Sequence, residues 1–333
     1  MKINAWAATE PKSDLVQIEL DSGPLAPFDC VVQIINCAIC FSDIHFIDNA
    51  WGKSKYPLVP GHEVVGKIVE VGESVTDRKV GEIVGVGYQR TACLDCPDCN
   101  SGRENLCKKG FVVTCASDHG GFADYMVTDS RFTIPVNSDY GLKYIGPLLC
   151  GGATIYSGLK HAGMKSGQTI GIIGLGGLGH LGVQFAAKSG NKVIVFEYDN
   201  SKAEFAAQLG ADEVVITKDG VPRNLPYLFD AIVSTIHQPV NWNHYLRLLN
   251  SDGTLCFIGD PGNIEINIGY LLVRRRRMMG MQIASRQEIQ DTLKAAETLQ
   301  VKPIIQEYAF SDINQAFSDV RHNLVKYRAV LNH

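Results

Sequence analysis

The sequence predicts an α/β protein in which a mostly β first part precedes a doubly wound parallel sheet. At 333 residues, the chain exceeds the size at which one hydrophobic core usually stops growing, so two domains are expected. Up to about residue 146 it is rich in glycine and in short β-branched runs. Beyond about residue 169, apolar runs that suit buried strands alternate with helical stretches, and this alternation is typical of a parallel sheet.

The individual elements follow from the spacing of the apolar residues. In the first part we predict strands at residues 31–36, 64–71 and 83–86. In the second part the predicted strands are residues 169–174, 192–197, 213–216, 229–235 and 254–259, with helices at 178–188 and 201–209 between them. Leu178, Leu181 and Phe185 share one face of the first of these helices. The last part is predicted to form a helix at 287–299, an extended segment at 303–309 and a helix at 311–322.

The charge and hydropathy of the chain favour a small-molecule role. The net charge is −4, so the chain as a whole does not attract nucleic acid or anionic membranes. One basic run, residues 274–277, is interpreted as a solvated or interface-facing edge. The first residues carry no secretion signal, and no apolar stretch approaches the roughly 20 residues that span a bilayer. We therefore expect a cytoplasmic protein without nucleic-acid or membrane partners.

A glycine-rich turn lies between the first predicted strand and the first predicted helix of the second part. It reads Gly174-Leu-Gly176-Gly177-Leu178-Gly179, and this position turns a weak pattern into a dinucleotide-binding signal. The first glycine permits the tight turn, the second lets backbone amides approach the pyrophosphate, and the third allows the helix to pack closely on the strand. The alternative is an ordinary turn between unrelated elements.

Glu197 ends the second strand of this part, 23 positions after Gly174. An acidic residue there can accept hydrogen bonds from the adenosine ribose, whereas it would repel a ribose phosphate. This favours NAD over NADP, although Lys202 and Asp199 lie nearby and NADP stays possible. A solvated loop acid is the alternative interpretation of Glu197.

Four of the ten cysteines, Cys93, Cys96, Cys99 and Cys107, lie within fifteen residues. In a chain without a secretion signal, such a cluster more often holds metal than disulfides. Four thiolates close a tetrahedral zinc site and leave no position for a substrate, so the cluster predicts a structural zinc lobe. Disulfides and an iron–sulfur cluster are the competing interpretations.

A second set of metal-binding side chains is scattered along the chain. It consists of Cys40, the pair His62-Glu63 and Cys150. Each is unconvincing alone, because a lone cysteine in an apolar run is usually just buried and a His-Glu pair usually lies in a solvated turn. Together they offer Cys, His and Cys, a ligand set that leaves a zinc position open for chemistry.

These motifs resemble the medium-chain zinc alcohol dehydrogenases, and most closely the branch of cinnamyl alcohol dehydrogenases and bacterial aldehyde reductases. The resemblance runs through residues 40–45, 56–63, 93–107, 120–125, 147–156 and 174–180. It implies a GroES-like catalytic domain over 1–147 with a zinc lobe at about 88–112, a Rossmann domain over 148–286, and a return to the catalytic domain over 287–333. It also implies an NAD(P)-dependent enzyme that transfers a hydride between the nicotinamide and a primary alcohol or aldehyde, in a homodimer or homotetramer.

The resemblance also assigns roles to the scattered set. Cys40, His62 and Cys150 correspond to the ligands of the catalytic zinc, and Glu63 can replace the bound water during exchange. With the lobe, this makes two zinc ions per chain. Asp43 would hold the other nitrogen of His62, fixing its tautomer and raising its basicity.

Other positions match the family less evenly. Ser42 and His45 resemble the proton relay, and Thr154 resembles a contact beside the nicotinamide. Phe41 stands where the family usually has a basic residue or a histidine that contacts pyrophosphate. Glu197 stands where this branch commonly has a small hydroxyl residue and uses NADP. Both departures bear on the choice of cofactor.

Two alternative functions stay open at this point. Polyol oxidation or iminium reduction on the same fold would preserve nearly the same motifs. A catalytically silent NAD(H)-binding zinc protein would have a damaged catalytic site, whereas all three ligands and both relay residues are present in this chain. Trp51, near the predicted zinc loop, favours aromatic or unsaturated substrates if it lines the pocket, but ordinary packing explains it equally well.

Overall fold

The computed structural model describes residues 1–116, 119–222 and 224–333. The chain divides into two compact units. Unit 1 comprises Met1–Cys150, Ile283–Leu293 and Pro303–His333, and unit 2 comprises Gly151–Gln282 and Lys294–Lys302. The limits of the catalytic and Rossmann domains expected from the sequence, near residues 147 and 286, remain predictions.

Unit 1 is mostly β, as predicted. Its elements before the first unit boundary are β1 (Lys2–Ala8), β2 (Leu15–Asp21), β3 (Asp29–Ile39), α1 (Phe41–Ile47), β4 (Val64–Val71), β5 (Ile83–Val86), β6 (Gln89–Ala92), α2 (Pro97–Asn100), β7 (Phe111–Val113), β8 (Tyr125–Asp129), β9 (Thr133–Pro135) and α3 (Leu142–Pro147). A short 3-10 turn covers Glu104–Leu106, and a π-helical turn covers Leu148–Gly152.

Unit 2 alternates strands and helices. Its elements are α4 (Ala153–His161), β10 (Thr169–Ile173), α5 (Gly179–Lys188), β11 (Lys192–Glu197), α6 (Ala203–Gln208), β12 (Glu213–Ile216), β13 (Phe229–Ser234), α7 (Trp242–Arg247), β14 (Leu249–Phe257), α8 (Gly269–Leu272) and β15 (Arg277–Gly280). The chain continues through α9 (Arg286–Thr298), β16 (Ile305–Ala309), α10 (Ile313–Arg321) and β17 (Arg328–Asn332). The helix, extended segment and helix predicted for this last part are all present.

The main sheet of unit 1 has the strand order β16-β17-β3-β4-β5-β9, and β8 also pairs with β3. Only β16 and β17 run parallel; the other pairs are antiparallel. Apolar side chains of the strands, such as Val32, Ile68 and Met126, are fully buried and form the core together with Phe122. This sheet carries β3 and β4, whose ends hold the candidate site.

The sheet of unit 2 is parallel throughout, in the order β12-β11-β10-β13-β14-β15. The chain order reverses between β10 and β13, and ligands of doubly wound sheets bind outside the carboxyl ends of the strands at such a point. Phe196, Phe229, Trp242 and Tyr245 are buried in its core. The predicted α/β fold class is confirmed.

The strand predicted at 254–259 begins five residues earlier, at Leu249. Residues 250–253 are Asn, Ser, Asp and Gly, which lack the apolar signal that sequence patterns detect. They continue the strand through backbone bonding, with a register shift in the pairing to β13.

Among the described residues, no helix is long and apolar enough to span a lipid bilayer.

The glycine-rich turn joins β10 to α5. Gly174 has φ +88°, a left-handed conformation that favours glycine. A Cβ atom added to Gly179, the first residue of α5, would lie only 1.9 Å from the carbonyl oxygen of Gly174, whereas one added to Gly176 would meet nothing within 4 Å. The glycine at 179 is therefore required for packing, and the glycine at 176 is not.

Replacing Gly179 by alanine should destabilise unit 2 by about 1–3 kcal/mol, because the overpacked methyl group outweighs the helix propensity that alanine adds. Gly176→Ala is the matched control and should unfold at the parent's urea concentration. Urea denaturation followed by circular dichroism measures both. Equal stability of the two variants would contradict this account of the turn.

Candidate active site

Four potential metal ligands converge at the ends of β3 and β4. Cys40 follows β3, His62 and Glu63 precede β4, and Cys150 lies in the π-helical turn. Their ligand atoms all lie within 4.8 Å of one another, and His62 Nε2 is 3.3 Å from Cys150 Sγ. Cys40, His62 and Glu63 are buried, whereas Cys150 is partly exposed. The structure thus brings together residues that are up to 110 positions apart in the sequence.

Asp43 holds two segments of this cluster in place through hydrogen bonds. Its Oδ1 accepts the backbone N–H of Gly61 at 2.9 Å and faces His62 Nδ1 at 2.8 Å, while its Oδ2 accepts the backbone N–H of Cys40 at 2.9 Å. The bond to Cys40 is half of a helix capping box, because Asp43 is the third residue of α1. The carboxylate is fully buried. It therefore fixes the segments of two candidate ligands at once and leaves His62 Nε2 free to bind a metal.

Glu63 forms an ion pair with Arg328, a residue that sequence reasoning missed. Arg328 Nη2 donates to both carboxylate oxygens of Glu63, and both side chains are buried. Burial raises the pKa of Glu63 to about 7, and the attraction of the Arg328 guanidinium opposes that shift. The sequence feature that could have pointed to Arg328 is a single arginine at the start of an apolar strand, Arg328–Asn332.

The predicted relay residues lie on α1. Ser42 Oγ is 3.8 Å from Cys40 Sγ, and His45 follows Ser42 by three residues, so both lie on one side of the helix. The His45 ring centroid is 4.9 Å from that of Trp51 and 6.1 Å from that of Phe41. Both aromatic side chains are 44% exposed. Phe41 therefore offers a partly solvated apolar surface where the family resemblance implies a polar contact.

The tetracysteine lobe brings four thiol groups together. The Sγ–Sγ distances are 3.4 Å for Cys93–Cys107, 3.7 Å for Cys93–Cys99 and 3.9 Å for Cys96–Cys107. All four are free thiols, against the disulfide alternative. The backbone N–H of Cys99 lowers the pKa of Cys96 to about 6, and that of Asp95 lowers the pKa of Cys93. At Cys93 and Cys96, backbone amides directed at sulfur therefore favour the thiolate form, which is the form that binds metals, whereas burial raises the pKa of Cys99 to about 12.

The residues predicted to bind the dinucleotide lie in unit 2. Gly174, Gly176, Gly177 and Leu178 form the turn between β10 and α5. The Glu197 carboxylate accepts the backbone N–H of Leu175 and lies 3.8 Å from Lys202 Nζ. The predicted acid therefore points at the glycine turn and is not a solvated loop residue. Thr154 is buried in α4.

The interpretation of residues 274–277 as a solvated or interface-facing edge is corrected in part, because one of the four arginines is buried. Arg276 is buried and donates to the carbonyl oxygens of Leu249 and Arg247 at 2.9 Å each. Arg275 and Arg277 remain exposed and lie close to Asp252. A buried guanidinium needs acceptors in place of water, and carbonyl oxygens at the ends of neighbouring elements supply them.

Comparisons with known proteins agree with this geometry. Residues 26–138 match the family model of the alcohol dehydrogenase GroES-like domain, and residues 177–298 match that of the zinc-binding dehydrogenases. The chain is 33% identical to aldehyde reductase AdhA of Synechocystis over 99% of both proteins. It is 37% identical to a probable cinnamyl alcohol dehydrogenase of Populus deltoides, over 99% of this chain and 96% of the relative.

Solved structures give the same result. A cinnamyl alcohol dehydrogenase of Sorghum bicolor superposes with a TM-score of 0.93 at 31% identity, over 100% of this chain and 98% of that one. A cinnamyl alcohol dehydrogenase of Helicobacter pylori, complexed with NADP(H), gives 0.91 at 28% identity over the same shares. The resemblance noted from the motifs is thereby confirmed. The chain belongs to the zinc-containing medium-chain alcohol dehydrogenases, in the branch of cinnamyl alcohol dehydrogenases and bacterial aldehyde reductases, and is an NAD(P)-dependent alcohol dehydrogenase.

Proposed function

We propose that this enzyme interconverts primary alcohols and aldehydes at a zinc ion held by Cys40, His62 and Cys150, with NAD as the preferred cofactor. One observation carries the proposal: two thiols and an imidazole converge, and a buried carboxylate, Asp43, orients the imidazole. Three protein ligands leave one tetrahedral position for a substrate oxygen.

The donor set fits zinc in chemistry and in distance. With bonds of about 2.3 Å to sulfur and 2.1 Å to nitrogen, a tetrahedral site separates N and S by about 3.6 Å and two sulfurs by about 3.8 Å. His62 Nε2 and Cys150 Sγ are 3.3 Å apart, and the sulfur–sulfur distances of Cys93–Cys107 and Cys96–Cys107 in the lobe are 3.4 and 3.9 Å. Bound zinc would act as a Lewis acid toward the substrate oxygen, and the nicotinamide would exchange the hydride.

The chain's own residues manage the proton and the ligand set. We propose that during alcohol oxidation Ser42 Oγ, beside Cys40, takes up the hydroxyl proton as it gives its own proton onward, and that the partly exposed His45 takes up the relayed proton and releases it to solvent. Glu63 would serve as a transient metal ligand during exchange of the bound water, and its ion pair with Arg328 would hold it near the site at other times. Asp43 would keep His62 in the tautomer whose Nε2 faces the metal.

The cysteine lobe is proposed as a second, structural zinc site, giving two zinc ions per chain. Its four thiols saturate a tetrahedral ion, and the lobe carries few apolar side chains of its own besides the cysteines. All ten cysteines are free thiols, which supports the proposal that the enzyme works in the reducing cytoplasm. A homodimer or homotetramer is proposed from the family resemblance alone.

The substrate class is proposed from the relatives and from exposed aromatic surface. The related proteins are named for aldehyde reduction and for cinnamyl alcohol, and one at 33% identity is a probable mannitol dehydrogenase of Mesembryanthemum crystallinum. The half-exposed indole of Trp51 favours an aromatic or unsaturated aldehyde over a polyol. Steady-state kinetics on cinnamaldehyde, short aliphatic aldehydes and mannitol tests this; a higher kcat/KM for mannitol would favour polyol oxidation instead.

Replacing His62 by alanine or Cys150 by serine should remove one zinc per chain and most turnover while the protein stays folded, because an open site serves chemistry more than folding. Metal analysis, circular dichroism and aldehyde reduction measure the three effects. Cys99→Ala is the matched control, because a closed thiolate site couples metal binding to folding.

The Cys99→Ala variant should lose thermal stability and soluble yield. Unchanged turnover in both open-site variants would reject the proposed catalytic ligands. A stable Cys99→Ala protein with one zinc missing would reject the structural role of the lobe.

The Glu197 carboxylate should give NAD a five- to thirtyfold preference over NADP in kcat/KM. Two negative groups about 5 Å apart repel by about 3 kcal/mol at an effective dielectric of 20, which salt and solvent reduce to about 1–2 kcal/mol. Glu197→Ser should shrink or reverse the preference, whereas Asp199→Asn, two residues further on, is the control and should change it less. A parent enzyme that already prefers NADP would contradict the proposed role of Glu197, with Lys202 then the candidate to hold the phosphate.

A further inference from the structure

Glu104 is a buried carboxylate in the tetracysteine lobe that is not one of its metal-binding groups. It lies three residues before Cys107, whose backbone N–H donates to the Glu104 carbonyl oxygen at 3.1 Å. Glu104 Oε1 accepts the backbone N–H of Arg286 at 2.6 Å and its Nε–H at 3.0 Å, and the residue is 1% exposed. A buried carboxylate requires such charge-assisted bonds. The pair therefore fixes the lobe to the first residue of α9.

The first turn of α9 is itself firmly held. Arg286 Nη1 donates to the carbonyl oxygen of Arg131 at 2.7 Å, and the guanidinium lies 4.7 Å above the Phe132 ring. Ser285 and Glu288 form a capping box, in which the backbone N–H of Ser285 donates to the Glu288 carboxylate at 2.7 Å. Because these bonds fix the first turn of α9, we expect a displacement of Glu104 to displace that turn as a unit.

One turn further along α9, Ile289 lies beside Gly87, which also adjoins the segment that carries Cys150. A Cβ atom added to Gly87 would lie 3.4 Å from Ile289 Cδ1 and 3.3 Å from the carbonyl oxygen of Leu149. Both residues thus pack against the bare backbone of Gly87. The Leu149 side chain also covers Gly85, where an added Cβ would approach it to 2.7 Å. Leu149 immediately precedes Cys150, so the backbone of Gly87 adjoins both Ile289 and the residue next to this thiol.

We propose that Glu104 and Arg286 are positioning residues through which the tetracysteine lobe sets the placement of Cys150. The connection runs from Cys107 through Glu104 and Arg286 to Ile289, and from there across Gly87 to Leu149, all within unit 1. The proposal rests on the proposed function, because it takes Cys150 as a ligand of the open metal site. Its consequence is that disturbing Glu104 changes the geometry of the open metal site around Cys150.

The test exchanges the metal of the open site for Co²⁺, whose visible d–d absorption reports the coordination geometry, while zinc stays in the lobe. Glu104→Gln keeps the shape of the side chain and removes its charge. We expect the lobe to keep one zinc per chain, the Co²⁺ bands to shift, and the Co²⁺ affinity of the open site to fall severalfold. This is less than the 10- to 100-fold loss typical when a residue bonded directly to a ligand is changed.

Arg103→Gln is the matched control. Arg103 lies in the same lobe and pairs with Asp98 at 2.8 Å, but this pair is on the solvent side. The control should leave the Co²⁺ spectrum and affinity unchanged. An unchanged spectrum and affinity in Glu104→Gln, even with reduced thermal stability, would show that the pair is merely structural and would overturn the proposal.

A second variant decides the question if Glu104→Gln does not fold. Ile289→Val removes one methyl group at Gly87 without touching the lobe, and it should shift the same Co²⁺ bands; unshifted bands would overturn the proposal. The parent protein separates the two levels of inference. A parent that binds no Co²⁺ at the open site refutes the proposed function, whereas a parent that binds it while neither variant responds refutes only the positioning role.

Discussion

The candidate active site depends on one buried carboxylate. Asp43 accepts the backbone N–H groups of Cys40 and Gly61 and faces the His62 ring, so two segments of unit 1 meet at its two oxygens. Without it, three buried polar groups would lose their partner, at a cost of about 1–3 kcal/mol each. The same bonds orient His62 and place Cys40 at the start of α1. Stability and chemistry therefore share a single anchor, which constrains the whole arrangement of the candidate ligands.

Charge burial follows the same logic elsewhere in unit 1. Glu63 is buried against Arg328, and Glu104 against Arg286, so each buried carboxylate has a guanidinium partner. Removing one partner of such a pair leaves an uncompensated charge, which is why these residues cannot be exchanged one at a time. The two pairs have different uses in our proposals. The Glu63–Arg328 pair holds a potential metal ligand near the site, and the Glu104–Arg286 pair joins the metal-binding lobe to α9.

The sequence predicted the features that depend on local pattern. Periodicity predicted three strands of unit 1 and most of the alternating strands and helices of unit 2, but not β1, β2 or β8 of unit 1. The cysteine spacing and the glycine turn indicated two candidate sites because neighbouring residues form them. Arg328, Glu104 and Arg286 were missed because their importance comes from partners 155 to 265 positions away, which no local pattern encodes. Arg276 was assigned to a solvated edge because a run of like charges gives no sign that one member is enclosed by carbonyl groups.

The most direct test of the central claim is a crystal structure of the zinc-loaded enzyme with anomalous data collected at the zinc edge. Our account predicts two peaks per chain. One should lie about 2.3 Å from the Sγ atoms of Cys40 and Cys150 and about 2.1 Å from His62 Nε2, and the other should lie among the four thiols of the lobe. A single peak in the lobe, or a second peak bound by Asp43, His62 and Cys115 instead, would contradict it.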